Sequence, residues 1–445
     1  MKVSIEHFAS PIKDFFFLFK TQGNSALFLE LGLIGTLLIL IAILLKIFSS
    51  KNVKTEQPFA TSPQEEEKPE EEKPLINNVT IKNKKPEKKL ISLKEEKPEI
   101  KVETEKKVVI KEISRSPKEL KKYIDLHLHL DGAITLEIAK ELAKLHNMAF
   151  KAKNDRELED LLSVPHTCKS LNDFLNCFEL PLSLMQTPEG LSESVRLVAN
   201  NIQSHGVIYA EFRFAPQLHT DLGMTQENAI KAALDGIKRT SLKVNLILCF
   251  MRGEGNEAQN LETLELARKY LVKDGGVVAL DIAGAEAIFK TKDYGHLFQK
   301  AREYGIPYTI HAGEADGPDS VKKAIEFGAH RIGHGVRSFE DDELVELINK
   351  KGIPLEMCPT SNSMTIAIPD MNKFPFIDFL EKGLKVTLNT DDMGIERTNI
   401  VEEFNYIETK FNLTYEQKKT ILLNSVDAAF TTDEVKAQLR AELGF

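Results

Sequence analysis

The run "IDLHLHLDGAI" at positions 124–134 places two histidines, His127 and His129, two residues apart in an apolar stretch typical of a β-strand. Residues i and i+2 of a strand point to the same face of the sheet, so both imidazoles face one side. Burying two imidazole rings is costly unless their nitrogen atoms find partners. A metal ion would be such a partner, and a pair of surface or hydrogen-bonded histidines is the alternative interpretation.

Residues of the same chemistry end three further apolar runs. They are His311 and Glu314 in "IHAGE", His334 in "GHG", and Asp391 and Asp392 in "NTDD". Catalytic groups of a parallel α/β barrel collect at the carboxyl ends of its strands. The repetition therefore favours one shared site over isolated, structurally satisfied histidines.

Three imidazoles and one carboxylate form a donor set that Zn²⁺ accepts readily while leaving room for a water molecule. The sequence predicts the following zinc ligands: His127, His129, His311 and Asp391. Glu314 and His334 then remain as acid–base groups that need not bind the ion. Zinc lowers the pKa of a bound water from about 15.7 to about 7, so the expected chemistry is metal-assisted hydrolysis.

Eight strand-like runs alternate with helical patterns between residues 118 and 445, which predicts an α/β fold, a (β/α)8 TIM barrel. The runs are Tyr123–His129, Val207–Phe214, Val244–Phe250, Val277–Gly284, Pro307–Gly313, Arg331–Gly335, Pro354–Pro359 and Lys385–Asp392. Many of them are apolar at both odd and even positions, as strands buried on both faces should be. The long gap after the first run, with "SLNDFLNCFELPLSLM", predicts extra helices over the barrel mouth.

Residues 26–48 are almost wholly apolar, with charges only near the two ends. A helix of about 23 residues is long enough to cross a hydrocarbon core of about 30 Å, so this segment predicts a single transmembrane helix after a tail at 1–25. A buried core helix and a cleaved signal peptide are the alternatives. Lysines flank the segment almost evenly, and the nearest charges favour the cytoplasmic side for the catalytic part.

Residues 49–117 are rich in Glu, Lys and Pro without apolar periodicity, which predicts a disordered linker. The domain at 118–445 follows it. The net charge of −9 provides no basic footprint for nucleic acid, and the sequence indicates no particular protein partner. We expect the four cysteines, Cys168, Cys177, Cys249 and Cys358, to be reduced core thiols, because their spacings match no disulfide or metal pattern.

The motifs "HLHLDGAI", "IHAGEADGPDS", "RIGHGV", "MCPTSN" and "LNTDD", in this order, resemble the adenosine deaminase family of the metal-dependent hydrolase superfamily. The resemblance covers residues 120–445 and implies hydrolytic deamination of adenosine and 2′-deoxyadenosine to the inosine nucleoside and ammonia, in purine salvage. It implies the same four zinc ligands, with Glu314 protonating N1 of the purine and His334 orienting the attacking water. It also implies these substrate-binding residues: His129, Asp131 for the 5′-hydroxyl, Gly284 for N3, and Asp392, in protonated form, for N7.

Several alternatives remain within and outside this reaction. An adenine or other aminopurine deaminase is the nearest, although such enzymes usually have Glu where this chain has Asp131. A nucleotide substrate is less favoured, because the sequence shows no added Arg/Lys cluster to bind a phosphate. A membrane-tethered purine-binding protein with an inactive barrel is the other alternative, but such a protein is expected to have lost Glu314 or a zinc ligand, and all of these residues are present. Met364, Ala285 and Met393 depart from the family pattern; none of them is a predicted ligand or acid–base group, so the departures leave only fine substrate preference open.

Three apolar residues after the first run, Phe174, Leu175 and Phe178, have a spacing of i, i+1 and i+4. They could form a lid over the purine. The same spacing suits an ordinary helix core equally well.

Overall fold

The computed structural model of the chain describes residues 120–165, 168 and 171–445. The predicted tail at 1–25, transmembrane helix at 26–48 and linker at 49–117 lie outside the described residues. Within the described part, no helix combines the length and the apolar character needed to cross a membrane.

Eight parallel strands build the described domain, and they follow the predicted runs closely. Their bounds are β1 Tyr123–His129, β2 Val207–Phe214, β3 Lys243–Met251, β4 Val277–Ala283, β5 Thr309–Ala312, β6 Arg331–His334, β7 Leu355–Met357 and β8 Val386–Leu388. Hydrogen bonding groups them into two sheets of four strands, β1 to β4 and β5 to β8, each in sequence order.

Two isolated parallel bridges close these sheets into a barrel. Leu280 pairs with Tyr308 between β4 and β5, and Leu128 pairs with Asp391 just beyond β8. At the second bridge, the amide of Asp391 donates to the carbonyl of His127 at 2.8 Å, and the amide of His129 donates to the carbonyl of Asp391 at 2.9 Å. The predicted barrel therefore forms, and its closing seam lies at the HxH motif.

Helices alternate with the strands and cover the outside of the barrel. Their bounds are α1 Leu136–Leu145, α2 Asp155–Leu162, α3 Leu171–Leu175, α4 Glu179–Leu184, α5 Pro188–Ser204, α6 Gln226–Lys238, α7 Glu257–Tyr270, α8 Gly295–Glu303, α9 Pro318–Phe327, α10 Asp342–Lys351, α11 Pro359–Met364, α12 Phe376–Glu381, α13 Met393–Glu396, α14 Ile400–Phe411, α15 Tyr415–Ala428 and α16 Asp433–Leu443. Short 3-10 turns lie at Asn176–Phe178, Pro216–His219, Thr291–Tyr294, Val336–Glu340 and Met371–Lys373. Helices α1 to α5 all lie between β1 and β2, as predicted.

Local sequence signals fix where the outer helices begin. Thr187 caps α5 with its side chain, which accepts a hydrogen bond from the amide of Gly190, and Pro188 follows at the first helical position. Thr225 and Thr432 cap α6 and α16 in the same way. A threonine side chain satisfies a free amide at a helix start, and replacing such a cap costs about 1 kcal/mol.

Two sequence expectations need correction at this level. The last strand ends at Leu388, so Asp391 and Asp392 lie in the loop beyond β8, whereas the predicted run extended to Asp392. Of the four expected core thiols, Cys249 and Cys358 are buried, whereas Cys168 and Cys177 are only half-buried, because they lie in the segment around α3 rather than in the barrel.

Candidate active site

Four side chains from three strand ends converge at the carboxyl end of the barrel. His127, His129, His311 and Asp391 offer ligand atoms that all lie within 4.8 Å of one another. Asp391 Oδ1 is 3.2 Å from Nε2 of His127 and 3.4 Å from Nε2 of His129. The predicted ligand set is therefore brought together in space.

This cluster fits a metal ion on the chemistry of its donors. The 3.2 Å contact between Nε2 of His127 and Oδ1 of Asp391 lacks hydrogen-bond geometry, so both buried atoms are without a hydrogen-bond partner within the described part of the chain. A buried polar atom without a partner is costly, and a cation bound between these atoms removes that cost. Nitrogen and oxygen donors of this kind suit zinc.

Two buried carboxylates orient the histidine rings from behind. Glu356 Oε2 lies 2.7 Å from Nδ1 of His127, and Asp281 Oδ2 lies 2.8 Å from Nδ1 of His311. The hydrogen bond of Glu356 favours a proton on Nδ1 of His127, and the nearby charge of Asp281 favours the same tautomer of His311, so that the Nε2 lone pairs are left toward the cluster. Arg213 links the two carboxylates, with NH1 at 2.6 Å from Asp281 and NH2 at 2.9 Å from Glu356.

Two residues of the site have left-handed backbone conformations. His334 has a φ of +59° and Asp391 a φ of +60°. Such conformations are costly for residues other than glycine and are found preferentially at functional sites. Here they turn the chain sharply after β6 and β8, so that both side chains enter the mouth of the barrel.

A cavity opens directly above the cluster. Its lining residues are His129, Asp131, Leu171, Phe174, Leu175, Phe178, Leu182, Ala215, Leu218, Cys249, Met251, Ala283, Gly284, His311, Glu314, His334, Ser361, Asp391 and Asp392. Every predicted acid–base and substrate-binding residue therefore borders one cavity. Gly284 has a φ of +103°, a backbone conformation that favours glycine.

Two carboxyl groups of this cavity, those of Glu314 and Asp392, are biased toward the protonated form. Burial, with the charges of Asp391 and Glu286, raises the pKa of Glu314 to about 8. Burial and the neighbouring charges of Asp391 and Asp131 raise the pKa of Asp392 well above its usual range. At neutral pH the site therefore presents carboxyl groups that can donate protons.

His334 is buried with its Nε2 facing two carboxyl groups, 3.6 Å from Glu314 Oε2 and 3.7 Å from Asp391 Oδ2. On its other side, Asn362 Nδ2 lies 3.1 Å from Nδ1 of His334 and fixes the ring plane. Burial lowers the pKa of His334 to about 3, with the nearby histidines adding to the effect over the opposing attraction of Asp391. The ring is therefore neutral, and because Nδ2 of Asn362 donates to Nδ1, the ring proton lies on Nε2, which faces the cavity.

One wall of the cavity is apolar. Phe174, Leu175 and Phe178 line it, and the rings of Phe174 and Phe178 pack with their centroids 6.1 Å apart. Phe174 is almost fully buried, as expected for a residue of a helix core, and all three side chains also face the cavity.

Several residues that build the site were not singled out from the sequence. Glu356, Asp281 and Arg213 act from within the strands, and Asn362 and Glu286 act from loops and helix starts. In the sequence these residues are recognisable only as polar residues within or just after apolar runs, as in "VVALDIAGAE" and "LEMCPTSN". A charged residue in a strand that is otherwise apolar on both faces is unusual and indicates a buried partner.

Comparison with known proteins agrees with this arrangement. Residues 123–444 match the family model described as adenosine deaminase. A relative from Haemophilus ducreyi named adenosine deaminase is 46% identical over 326 residues, which cover 72% of this chain and 95% of that protein.

Two solved structures have a similar fold. A structure of an N6-mAMP deaminase from Arabidopsis is 26% identical with a TM-score of 0.64, over 73% of this chain and 98% of that one. An adenine deaminase from Arthrobacter aurescens reaches a TM-score of 0.66 at 24% identity, over 73% and 98% of the two chains. The similarity to the Arthrobacter aurescens structure shows a shared fold.

Proposed function

This chain belongs to the adenosine deaminase family, and we propose that it converts adenosine, and also 2′-deoxyadenosine, to the inosine nucleoside and ammonia with the help of one zinc ion. Deamination of adenosine follows from the 46% identity to a relative of that name, which extends over 95% of the relative's length. The chain is therefore a hydrolase. The zinc ion, the deoxynucleoside and the roles of single residues are the proposed part.

A pair of protonated carboxyl groups in one cavity carries the proposal. A protonated Glu314 can deliver its proton to N1 of the purine, which makes C6 electrophilic. A neutral Asp392 can donate a hydrogen bond to N7, which a carboxylate could not do. The amide of Gly284 can donate to N3, because no side chain separates its backbone from the cavity.

His334 can orient the attacking water. Its neutral ring has Nε2–H facing the cavity, which can donate a hydrogen bond to the water oxygen that bonds to C6, and a proton of that water can pass to the amino group as the bond between C6 and nitrogen breaks. Ammonia then leaves, and the remaining proton of the C6 hydroxyl returns to the Glu314 carboxylate, which leaves the keto form of the purine and restores the acid. Asn362 keeps Nε2 of His334 directed at this point by holding Nδ1.

His127, His129, His311 and Asp391 would hold the zinc ion, with His129 also bordering the substrate cavity. Zinc supplies a Lewis acid that lowers the pKa of water beside C6. Asp281 and Glu356 keep His311 and His127 in the tautomer that leaves Nε2 free.

The apolar wall supports a role as a lid over the purine. Residues such as Phe174 and Phe178 exclude bulk water, which strengthens every charged interaction inside the cavity. We propose that this segment covers the base while the carboxyl groups act on its opposite edge.

The charges of the cavity favour a nucleoside over a nucleotide. None of its described lining residues is Lys or Arg, whereas four are Asp or Glu. A phosphate group would therefore find no Lys or Arg side chain to pair with in this lining. Asp131 is suited to the 5′-hydroxyl, because its Oδ1 is buried and has no hydrogen-bond partner among the described residues.

Loss of the adenosine absorbance tests the reaction directly. The zinc-loaded full chain should deaminate adenosine, and Glu314→Gln should lower kcat by about 10³-fold, because Gln cannot deliver the proton. Glu326→Gln is the matched control, since Glu326 is exposed at the end of α9 and should leave kcat unchanged.

Two outcomes would overturn this proposal. A wild-type chain that binds adenosine without turnover would indicate a purine-binding protein. A wild-type chain that prefers adenine would favour the adenine deaminase alternative, and the specificity constants of the two substrates separate these cases.

We also propose that residues 26–48 anchor the enzyme in a membrane as a single-pass helix, with the catalytic domain on the cytoplasmic side. The support is the sequence alone: an apolar stretch of sufficient length followed by a charged linker at 49–117. Fractionation should place the full chain in the membrane and a chain lacking residues 1–48 in the soluble fraction. Protease treatment of intact cells should leave the barrel uncut, whereas cleavage from outside would contradict the proposed side.

A further inference from the structure

Glu286 lies in the loop that follows β4, and its side chain is 2% exposed. It does not line the substrate cavity, yet it contacts the loop that carries Glu314. That loop, residues 313–316, follows β5 directly. Two successive strand-end loops of the barrel are therefore joined through a single buried carboxylate.

The contact is made almost entirely with backbone amides. Oε1 of Glu286 accepts a hydrogen bond from the amide of Gly313 at 2.8 Å. Oε2 accepts from the amides of Glu314, Ala315 and Asp316 at 3.0, 2.8 and 3.0 Å. Four consecutive amides thus converge on one side chain, which fixes the path of the loop.

The far side of this carboxylate is also held. The hydroxyl of Ser320, in the first turn of α9, donates to Oε1 of Glu286 and lies 2.7 Å from the hydroxyl of Thr291. Arg252 donates to that same Thr291 and, at 2.7 Å, to the carbonyl of His311. Although burial raises the pKa of Glu286, Arg252 and these hydrogen bonds outweigh it and lower the pKa to about 2.

The backbone of the loop has little freedom to compensate for a lost partner. Gly313 has a φ of +73°, and a Cβ atom there would lie 2.4 Å from Val321 Cγ2. Its carbonyl accepts from the amide of Arg337 at 3.0 Å. The position of Glu314 is therefore set by backbone contacts on both sides, and Glu286 makes most of them.

We propose that Glu286 is a positioning residue for the deamination: its carboxylate holds the amides of residues 313–316 and thereby places the Glu314 side chain against the purine. This inference rests on the proposed function. Glu286 does not touch the substrate, so it acts on the rate through the placement of Glu314. Misplacing a catalytic group by about 1 Å can cost about 10²-fold in rate.

Glu286→Gln in the full zinc-loaded chain is the test. The amide NH₂ of Gln faces backbone donors in place of an accepting oxygen, so part of the loop loses its partner. We expect kcat for adenosine to fall by about 10²-fold, while KM and the inhibition constant of inosine change by less than about 3-fold. Amide hydrogen exchange of residues 313–316 should become faster.

Asn245→Ala is the matched control. Asn245 is also buried and holds a loop backbone, accepting from the amides of Gly275 and Gly276 at 2.6 and 3.3 Å, but it does so before β4, at the other end of the barrel. This variant should lower the unfolding temperature and leave kcat unchanged. Ser320→Ala removes one donor to Glu286 and should give a smaller loss of kcat than Glu286→Gln.

The outcomes separate this inference from the function on which it rests. Failure of the wild-type chain to deaminate adenosine overturns the proposed function, and hydrogen exchange still reports whether Glu286 holds the loop. Wild-type turnover with an unchanged kcat in Glu286→Gln overturns the inference alone. A loss of kcat matched by an equal loss of inosine affinity or of zinc content also overturns it, because that pattern indicates a general structural defect.

Discussion

Gly132 and Asp392 pack so closely that a Cβ atom at position 132 would lie 1.7 Å from Oδ1 of Asp392. The carbonyl of Gly132 also accepts hydrogen bonds from the amides of Gly394 and Ile395 at 2.9 and 3.1 Å. The loops after β1 and β8 therefore meet backbone to backbone. This contact places Asp131 and Asp392 at one side of the same cavity.

Gly132→Ala should displace Asp392, because the added Cβ atom would overlap three atoms of this buried side chain: Oδ1 at 1.7 Å, Cγ at 2.5 Å and Cβ at 2.8 Å. We expect kcat/KM for adenosine to fall by about 10²-fold or more, since the donor to N7 is misplaced. Steady-state kinetics measure the change. Gly223→Asn is the control: position 223 has a φ of +89° and no described atom within 4 Å of a Cβ, and Asn tolerates that conformation. Equal losses in both variants would contradict the steric argument.

The pH dependence of kcat/KM should report Glu314. Burial and neighbouring charges raise its pKa to about 8, and the protonated form is the active one. The rate should therefore stay level on the neutral side and fall by about tenfold per pH unit above about pH 8. A profile of kcat/KM from acidic to alkaline pH checks this. A rate that keeps rising through that range would show that Glu314 does not act as an acid.

The barrel could be predicted because its local signals agree. Strands such as β3 and β4 are apolar on both faces, and the predicted polar residues of the site lie at or just beyond the ends of β1, β5, β6 and β8. His127, His311 and Asp391 were found for the same reason: each interrupts or follows a buried strand, where a polar residue needs a special explanation.

Other parts of the site depend on contacts between distant residues. The left-handed backbone of Asp391 is hydrogen-bonded to His127 and His129 of β1, which lie 264 and 262 residues earlier in the chain. In the sequence, Glu286 is indistinguishable from an ordinary loop carboxylate, because its role depends on hydrogen bonds from the amides of residues 313–316. Pairings of this kind have no local periodicity, so one sequence does not indicate them.

Asp281→Asn should weaken zinc binding. Asp281 holds Nδ1 of His311 at 2.8 Å, and removing such a partner typically lowers metal affinity by about 10- to 100-fold. Competition with a chromophoric chelator measures the dissociation constant without relying on activity. The expected result is a weaker affinity with the same stoichiometry of one ion per chain.

Glu211→Gln is the matched control for this variant. Glu211 belongs to the same buried charge network, where it pairs with Arg331 at 2.7 Å and accepts from the hydroxyl of Tyr209 at 2.8 Å. None of its contacts in the described structure involves a histidine ligand. Both variants should unfold at lower temperature, because each perturbs a buried ion pair. Equal zinc affinities in the two variants would contradict the proposed role of Asp281.

Asp131→Glu should move the substrate preference from adenosine toward adenine. Asp131 is 5% exposed and borders the cavity, so an added methylene projects into the space that the proposal gives to the ribose. One methylene in a closed site is worth about 10- to 200-fold in discrimination, and we expect the ratio of kcat/KM for adenosine over adenine to fall within that range. Asp131→Asn keeps the length of the side chain and should change the ratio much less, although it loses the charge. A ratio that is the same in Asp131→Glu and in the wild-type chain would show that position 131 does not select the nucleoside.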